Sequence, residues 1–195
     1  MTVDASEQRL LLKMARDAIG HGLVHAEAPE VVAEDYLPPL RQIACTFVTL
    51  HIDDALRGCI GSLRAHRPLV TDVARHAYAA AFSDARFSPL QHDELAGLHI
   101  HVSILSALEP VSFDSDDSLT ASLRPEVDGL LIEIGGHRAT FLPTVWSSLP
   151  DGREFLAALK QKAGMPAGAT GYSAWRYTTQ DFEEDREPRG DSSRA

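Results

Sequence analysis

Two stretches of this sequence have the pattern of a β-hairpin, and they constrain the fold more than any other feature. In the first, "ACTFVTLHI" and "ALRGCIGSL" are separated by Asp53-Asp54. In the second, Gly135-Gly136 interrupts "LLIEIGGHRATFLP", where a two-residue turn needs positive φ angles. Strands joined by such short turns are antiparallel, because a parallel pair needs a long crossover connection. We therefore expect a mainly antiparallel sheet.

Helical segments lie between the hairpins. Apolar residues recur at helical spacing over residues 6–24, and Pro68 is placed to begin a second helix. A third is expected from "DGREFLAALKQKAGMP", with Gly164 at its end. Residues 98–108 alternate apolar and polar, as a half-buried strand does, and "AWRYTTQDF" predicts a last strand. Hairpins interspersed with helices, without strict βαβ alternation, indicate an α+β fold with flanking helices.

The length of the chain sets its domain organisation. A chain of 195 residues with 44% apolar residues is long enough to bury a core as one domain, or as a domain with a small lobe. The end of the sequence, "EEDREPRGDSSRA", has no apolar anchor. We therefore expect a single folded unit over residues 1–182 and a disordered tail over 183–195.

The charge balance argues against one class of function. The formal net charge is −10, whereas non-specific binding to DNA or RNA needs clustered lysine and arginine. No apolar run approaches the roughly 20 residues that a membrane helix requires. The start, "MTVDASEQRL", lacks the pattern of a signal peptide. These features predict a cytoplasmic protein that binds neither nucleic acid nor membrane.

The two cysteines, Cys45 and Cys59, belong to the two strands of the first hairpin. A two-residue turn places Val48 opposite Cys59. Because Cys45 and Val48 are an odd number of residues apart, the two thiols are expected on opposite faces of the sheet, unbonded. A bulge at Gly58 or Gly61 would change this register.

The segment "LRGCIG" around Cys59 is the strongest candidate for chemistry. Arg57 and Cys59 are two residues apart and share a face of a regular strand, where a guanidinium favours the thiolate. Gly58 and Gly61 would let a planar substrate approach the backbone, whose N–H groups can stabilise an oxyanion. The alternative is a buried structural cysteine whose neighbouring glycines serve only a bulge. The sequence leaves both interpretations open.

Other candidate sites have weaker support. His99 and His101 share a strand face, but no third ligand has a recognisable spacing, so a solvated face is favoured over a metal site. The acidic stretch at Asp116 lacks the glycine and distal glutamate of an EF-hand, and Gly135 does not begin a phosphate-binding loop. We predict no metal and no cofactor.

Four blocks in order carry a family resemblance: "CTFVTLHIDDALRGCIGSL", "FSDARFSPLQHDELAGLHIHVSIL", "DGLLIEIGGHRATFLPTVW" and "KAGM". Over about residues 8–182 the chain resembles the AMMECR domain family, whose prokaryotic members are also called AmmeMemoRadiSam system protein A. The resemblance implies an α+β fold with an antiparallel sheet and a smaller subdomain beside it. It also implies an association with a Memo-like protein and a radical-SAM protein, and it implies no reaction.

The resemblance bears on individual residues. Residues 57–61 and the block "ARFSPL" with Arg86 match the family pattern without change. His101 stands where an acidic residue is expected, and His76 where a neutral polar residue is expected, so neither is proposed as a required catalytic base. The resulting candidates are Cys59 and Arg57 for catalysis, and Gly58, Gly61, Arg86 and His101 for substrate binding.

Three functions remain open at this stage. The first is a cysteine-dependent enzyme that acts on a small anionic or planar substrate through "LRGCIG". The second is a noncatalytic partner, or a substrate-delivery protein, for a Memo-like or radical-SAM protein. The third, RNA binding by glycine-flanked strands with aromatic residues, has the least support, because the net charge is −10.

Overall fold

The structure of the chain is a computed structural model that describes residues 2–166 and 168–185. The described residues form two compact units, one of residues 2–104 with 181–185, and one of residues 105–180. We call them the first and the second unit. Within the described part, no helix combines the length and the apolar character that crossing a membrane requires.

Helices and strands are interspersed along the chain. Over the described residues they are, in order, α1 (Ala5–His25), β1 (Ile43–Ile52), β2 (Ala55–Gly61), β3 (Arg67–Pro68), α2 (Leu69–Phe82), β4 (Leu98–Leu105), β5 (Glu109–Val111), α3 (Asp116–Ser122), β6 (Gly129–Ile134), β7 (His137–Phe141), α4 (Gly152–Lys162), β8 (Ser173–Tyr177) and β9 (Thr179–Glu183).

The strands form two sheets. One has the order β2-β1-β4-β9, with β3 paired to β1, and the other has the order β5-β8-β6-β7. Both expected hairpins are present, β1 with β2 and β6 with β7, and both are antiparallel. The α+β fold expected from the hairpin pattern is confirmed.

Helix α2 covers one face of the first sheet, and α1 lies beside α2. α1 begins with a capping box, in which Asp4 accepts from the backbone N–H of Glu7 and the Glu7 carboxylate accepts from that of Asp4. α1 packs against α2, and α2 packs against β1 and β2. The core between them includes Val48 and Leu50 of β1 together with the buried stripe of α2. The face of the sheet that points away from α2 is called the far face below.

The second unit has a core of its own. The ring of Trp146 stacks on Phe155 of α4, with centroids 4.0 Å apart. The indole N–H of Trp146 donates to the carbonyl of Asp128 at 2.7 Å, so this buried polar group is satisfied. Trp146 and Phe155 are both buried, so they anchor α4 in this core.

Three boundaries differ from the expectations. Pro68 lies at the N-cap of α2 and ends β3, rather than inside the first turn of the helix. The last strand is two strands, β8 and β9, which belong to different sheets. Residues 183–185 were assigned to the tail, but Glu183 lies in β9 and Glu184 pairs with Arg16. The rest of the predicted tail, residues 186–195, lies outside the described residues.

Candidate functional site

The first hairpin contains a bulge that sets the geometry of the candidate site. Its turn has φ angles of 50° at Asp53 and 65° at Asp54, a region that aspartate tolerates better than most residues. Beyond the turn the register shifts, so that Leu50 faces Gly58 instead of Arg57. Arg57 is therefore the extra residue of a β-bulge.

The bulge overturns the register expected for Cys59. Cys59 faces Thr49 instead of Val48, so both cysteines lie on the far face and not on opposite faces. Cys45 is four residues from Thr49, which separates the two thiols by about 14 Å along the strands. Neither cysteine forms a disulfide bond.

Thr49 is the side-chain neighbour of the Cys59 sulfur. Its hydroxyl donates to Cys59 Sγ at 3.2 Å. Cys59 is half-buried and does not belong to the core between the sheet and its helices. A hydroxyl donor is suited to support negative charge on the sulfur, whereas the valine methyl groups of the expected register are not.

Asp84 and Arg86 hold the backbone of Cys59 on the open edge of β2. The Asp84 carboxylate accepts from the Cys59 N–H at 2.9 Å, and Arg86 Nη2 lies 3.4 Å from the Cys59 carbonyl oxygen. Arg86 also binds Asp84, with Nη2 2.6 Å from Oδ2 and Nε 3.0 Å from Oδ1. One acceptor and one donor thus replace a neighbouring strand at the edge of the sheet.

The ion pair between Asp84 and Arg86 is shielded from water on one side, because Asp84 is buried. The hydrogen bond from Arg86, aided by the N–H of Cys59, holds the pKa of Asp84 well below its usual range. Asp84 in turn raises the pKa of Arg86, and Cys59 adds a smaller effect in the same direction. The guanidinium next to Cys59 is therefore that of Arg86.

Arg57 is committed to a different partner. Its Nε and Nη2 donate to the two carboxylate oxygens of Glu94 at 2.6 and 2.9 Å, which raises the pKa of Arg57 and lowers that of Glu94. Its Nη1 is buried with no hydrogen-bond partner among the described residues. The guanidinium lies 5.9 Å from the ring centroid of Phe87, and that of Arg86 lies 5.4 Å from the same ring. The expected contact between Arg57 and the Cys59 thiol is replaced by this pairing.

Close packing accounts for both glycines of the motif. A Cβ on Gly58 would lie 2.1 Å from the carbonyl oxygen of Ala80 in α2, and one on Gly61 would lie 2.3 Å from the ring of Phe47. Gly58 is buried, so α2 occupies the space where a substrate was expected to approach. For these two residues the structure favours the local-geometry interpretation.

His101 lies on the far face but away from Cys59. Its Nε2 is 3.5 Å from Asp181 on β9, which also accepts from the hydroxyl of Ser103 at 2.6 Å. Since β1 lies between β4 and β2, two strand spacings, at least about 10 Å, separate His101 from Cys59. His101 thus belongs to the pairing of β4 with β9.

His76 belongs to α2 and lies on the opposite side of the sheet from Cys59. Its Nδ1 is 2.9 Å from the hydroxyl of Thr46, which also donates to Asp72 at 2.8 Å. Burial lowers the pKa of His76, against the opposing influence of Asp72. Among residues 2–166 and 168–185 no group of three or more histidine, cysteine, aspartate or glutamate side chains is placed to hold a metal ion.

Three residues of this arrangement were not predicted. Thr49 could be found only by locating the bulge at Arg57. Asp84 stands two residues before Arg86 in "SDARFSPL", a spacing that allows a carboxylate to meet the guanidinium, and this signal was available. Glu94 lies 37 residues from Arg57, and no local pattern connects them.

Comparison with known proteins shows the family to which the chain belongs. The AMMECR1 family profile matches residues 12–182. The chain belongs to the AMMECR1 family. A protein of Methanothermobacter thermautotrophicus is 35% identical over 184 residues, which cover 92% of this chain and 95% of that protein. A protein of Thermotoga maritima is 33% identical over 88% of this chain and 94% of its own length.

A solved structure resembles the AMMECR1 chain closely. It is the crystal structure of the uncharacterized protein PH0010 from Pyrococcus horikoshii, with a TM-score of 0.87 and 29% sequence identity. The alignment covers 94% of each chain. The predicted AMMECR family membership is thereby confirmed over nearly the whole sequence.

Proposed function

We propose that this AMMECR1-family protein is a cysteine-dependent enzyme in which Cys59 contacts or attacks a small anionic or planar substrate. One observation carries the proposal: Cys59 is accessible on the far face, its sulfur accepts a hydrogen bond from Thr49, and its backbone is held by Asp84 and Arg86. The Arg86 guanidinium lies at the Cys59 backbone and the Thr49 hydroxyl at its sulfur. A nearby cation is a feature of reactive cysteines.

Arg86 and Phe87 support the proposed substrate class. The Arg86 side chain is 55% exposed, and its Nη1 makes no hydrogen bond with the described residues, so this nitrogen is available to an anion. The half-buried ring of Phe87, with the guanidinium groups of Arg57 and Arg86 within 6 Å of its centroid, offers a flat surface to a planar group. Arg57 supports the site by positioning, through Glu94 and Phe87, rather than by contact with the sulfur.

Competitive alkylation tests this proposal, with Cys45 as the internal control because both thiols are half-buried on the same face. The protein is treated with neutral iodoacetamide or with anionic iodoacetate, and the labelled peptides are quantified over time by mass spectrometry. We expect Cys59 to react faster than Cys45, and its rate ratio of iodoacetate to iodoacetamide to exceed that of Cys45.

Two variants separate the contribution of the Thr49 hydroxyl from that of the Arg86 charge. Thr49→Val removes the hydroxyl at nearly constant volume and should slow alkylation of Cys59 about three- to tenfold at neutral pH, while Thr49→Ser should retain the rate. Arg86→Gln should reduce the iodoacetate preference about threefold, the effect of one charge some 7 Å away in a water-like medium. If Cys59 reacts no faster than Cys45, or only after unfolding, the enzyme proposal fails.

The second candidate function is a noncatalytic partner, or a substrate-delivery protein, for a Memo-like or radical-SAM protein. Two observations favour it: packing accounts for the glycines of the motif, and Leu56, its first residue, is 41% exposed. Co-purification with such proteins from the native organism, weakened by Leu56→Ser but not by Cys59→Ser, would support this function. Loss of co-purification with Cys59→Ser would instead tie any partner to the thiol.

A further inference from the structure

The second unit contains a cavity that the proposed chemistry at Cys59 does not use. Its volume is about 760 Å³, which is within the range typical of sites for small molecules. Residues 110–116 form one side of the cavity, and residues 168–175 form the other. All of these residues belong to the second unit, so the cavity is complete within it.

Aromatic side chains form much of the wall. The rings of Phe113 and Tyr172 lie with their centroids 5.1 Å apart. Trp175 lines the cavity and is half-buried, so part of its indole faces the open space. Aromatic faces carry negative electrostatic potential and attract organic cations.

The charged groups of the lining are all acidic. Asp114 and Asp116 line the cavity, and none of the described lining residues is lysine, arginine or histidine. Such a wall repels an anionic ligand and favours a cationic one.

Lys160 neutralises one of the two carboxylates without lining the cavity. It is 2% exposed, and its Nζ lies 2.6 Å from Asp116 and 4.7 Å from the ring centroid of Tyr172. The hydroxyl of Tyr172 donates to the other oxygen of Asp116 at 2.7 Å. Asp116 is therefore satisfied, and the contact of Lys160 with Tyr172 is an example within the protein of a cation on these aromatic rings.

Asp114 is left as the carboxylate that is not neutralised. Its backbone N–H donates to Ser118, but its side chain makes no hydrogen bond or ion pair with the described residues. Asp114 and Phe113 both line the cavity, so its wall offers a charged group and an aromatic ring. Together they match a ligand with a positive end and an apolar body.

We propose that this cavity binds a small organic cation that carries an aromatic or apolar body. Asp114 pairs with the ammonium group, and Phe113 and Trp175 contact the body. The proposal is independent of the chemistry proposed at Cys59.

The test uses three probes of nearly equal shape and different charge: phenethylammonium, phenethyl alcohol and phenylpropionate. Binding to the full chain is followed by the fluorescence of Trp175 and by chemical shifts, since Trp146 is buried outside the lining. We expect phenethylammonium to bind most tightly and phenylpropionate most weakly. Equal binding of the cation and the anion, or no binding of the cation, would overturn the proposal.

Two matched variants test whether the carboxylate of Asp114 is the charge that binds the cation. Asp114→Asn should weaken phenethylammonium binding about three- to fivefold and leave phenethyl alcohol unchanged. Asp117→Asn removes the same charge three residues away, from a side chain that pairs with Arg153 and does not line this cavity, and should change neither. If Asp117→Asn weakens the cation as much as Asp114→Asn, the effect is one of overall charge and the proposed site is wrong.

Discussion

At the scale of residues, a few hydrogen bonds determine the geometry around Cys59. The buried carboxylate of Asp84 accepts from the Cys59 N–H and from Arg86, so one aspartate holds the strand edge and the cation together. Thr49 adds a donor to the sulfur at 3.2 Å. At this scale the site depends on Asp84 more than on any residue of "LRGCIG" other than the cysteine.

The pH dependence of stability should reveal how much Asp84 contributes to the free energy of unfolding. Asp84→Asn is expected to lower the free energy of unfolding by about 2 kcal/mol at neutral pH, because hydrogen bonds to a charged group contribute about 1.5–3 kcal/mol. The pKa of folded Asp84 lies below that of an unfolded aspartate, about 3.9. Its stabilisation is therefore complete above that pH and is lost as the pH falls below it.

Urea unfolding at neutral pH and near pH 3 measures this difference. The gap between the unaltered protein and Asp84→Asn should shrink in acid. Asp17→Asn is the control, since Asp17 pairs with Lys13 on an exposed helix surface and should contribute less than about 0.5 kcal/mol. A gap that is the same at both pH values would contradict the assigned role of Asp84.

At the scale of elements, the contact of β2 with α2 determines where the motif lies. Gly58 allows the strand backbone to touch the carbonyl of Ala80, and the bulge at Arg57 returns Cys59 to the far face beside Thr49. A helix backbone cannot move aside as the end of a flexible side chain can. The contact therefore makes the glycine a requirement of packing.

Gly58→Ala tests this contact. The new Cβ would lie 2.1 Å from a backbone oxygen, so we expect the free energy of unfolding to fall by about 3 kcal/mol, at the upper end of the cost of overpacking. Gly20→Ala in α1 is the matched control, because no atom lies within 4 Å of its Cβ position. That change should stabilise the protein by about 0.5–1 kcal/mol through helix propensity. Loss of stability in both variants, or in neither, would contradict the packing argument.

At the scale of the whole molecule, charge limits the possible partners. The net charge is −10, and many of the arginines are paired with carboxylates in the structure. The paired arginines are Arg16, Arg57, Arg67, Arg86, Arg124, Arg138, Arg153 and Arg176. Within the part of the chain that the structure describes, this pairing reduces the positive charge that could release counterions from a nucleic acid.

We expect no binding of duplex DNA or single-stranded RNA at micromolar protein concentration and physiological salt. Filter binding over a salt series measures this, with a basic DNA-binding protein as the positive control. Retention that falls steeply with added salt would reveal a basic surface and contradict the expectation.

Much of the architecture follows from the sequence because hairpins and helices are specified by local patterns. The two-residue turns at Asp53-Asp54 and Gly135-Gly136, and the capping box at Asp4, act over a few residues and were recognisable. The division of the last strand into β8 and β9 could not be recognised, because both parts have a strand pattern. The division depends on which sheet each part joins.

The sequence by itself determined the two hairpins, the three long helices, the family and the acidic net charge, since each depends on short-range periodicity, on motif order or on composition. Only the tertiary structure decided which residues meet at Cys59. A bulge of one residue turns every later side chain to the other face, and side chains as far apart as Arg57 and Glu94 meet only when the chain folds. Contacts of that kind depend on packing between distant segments, which no local pattern records.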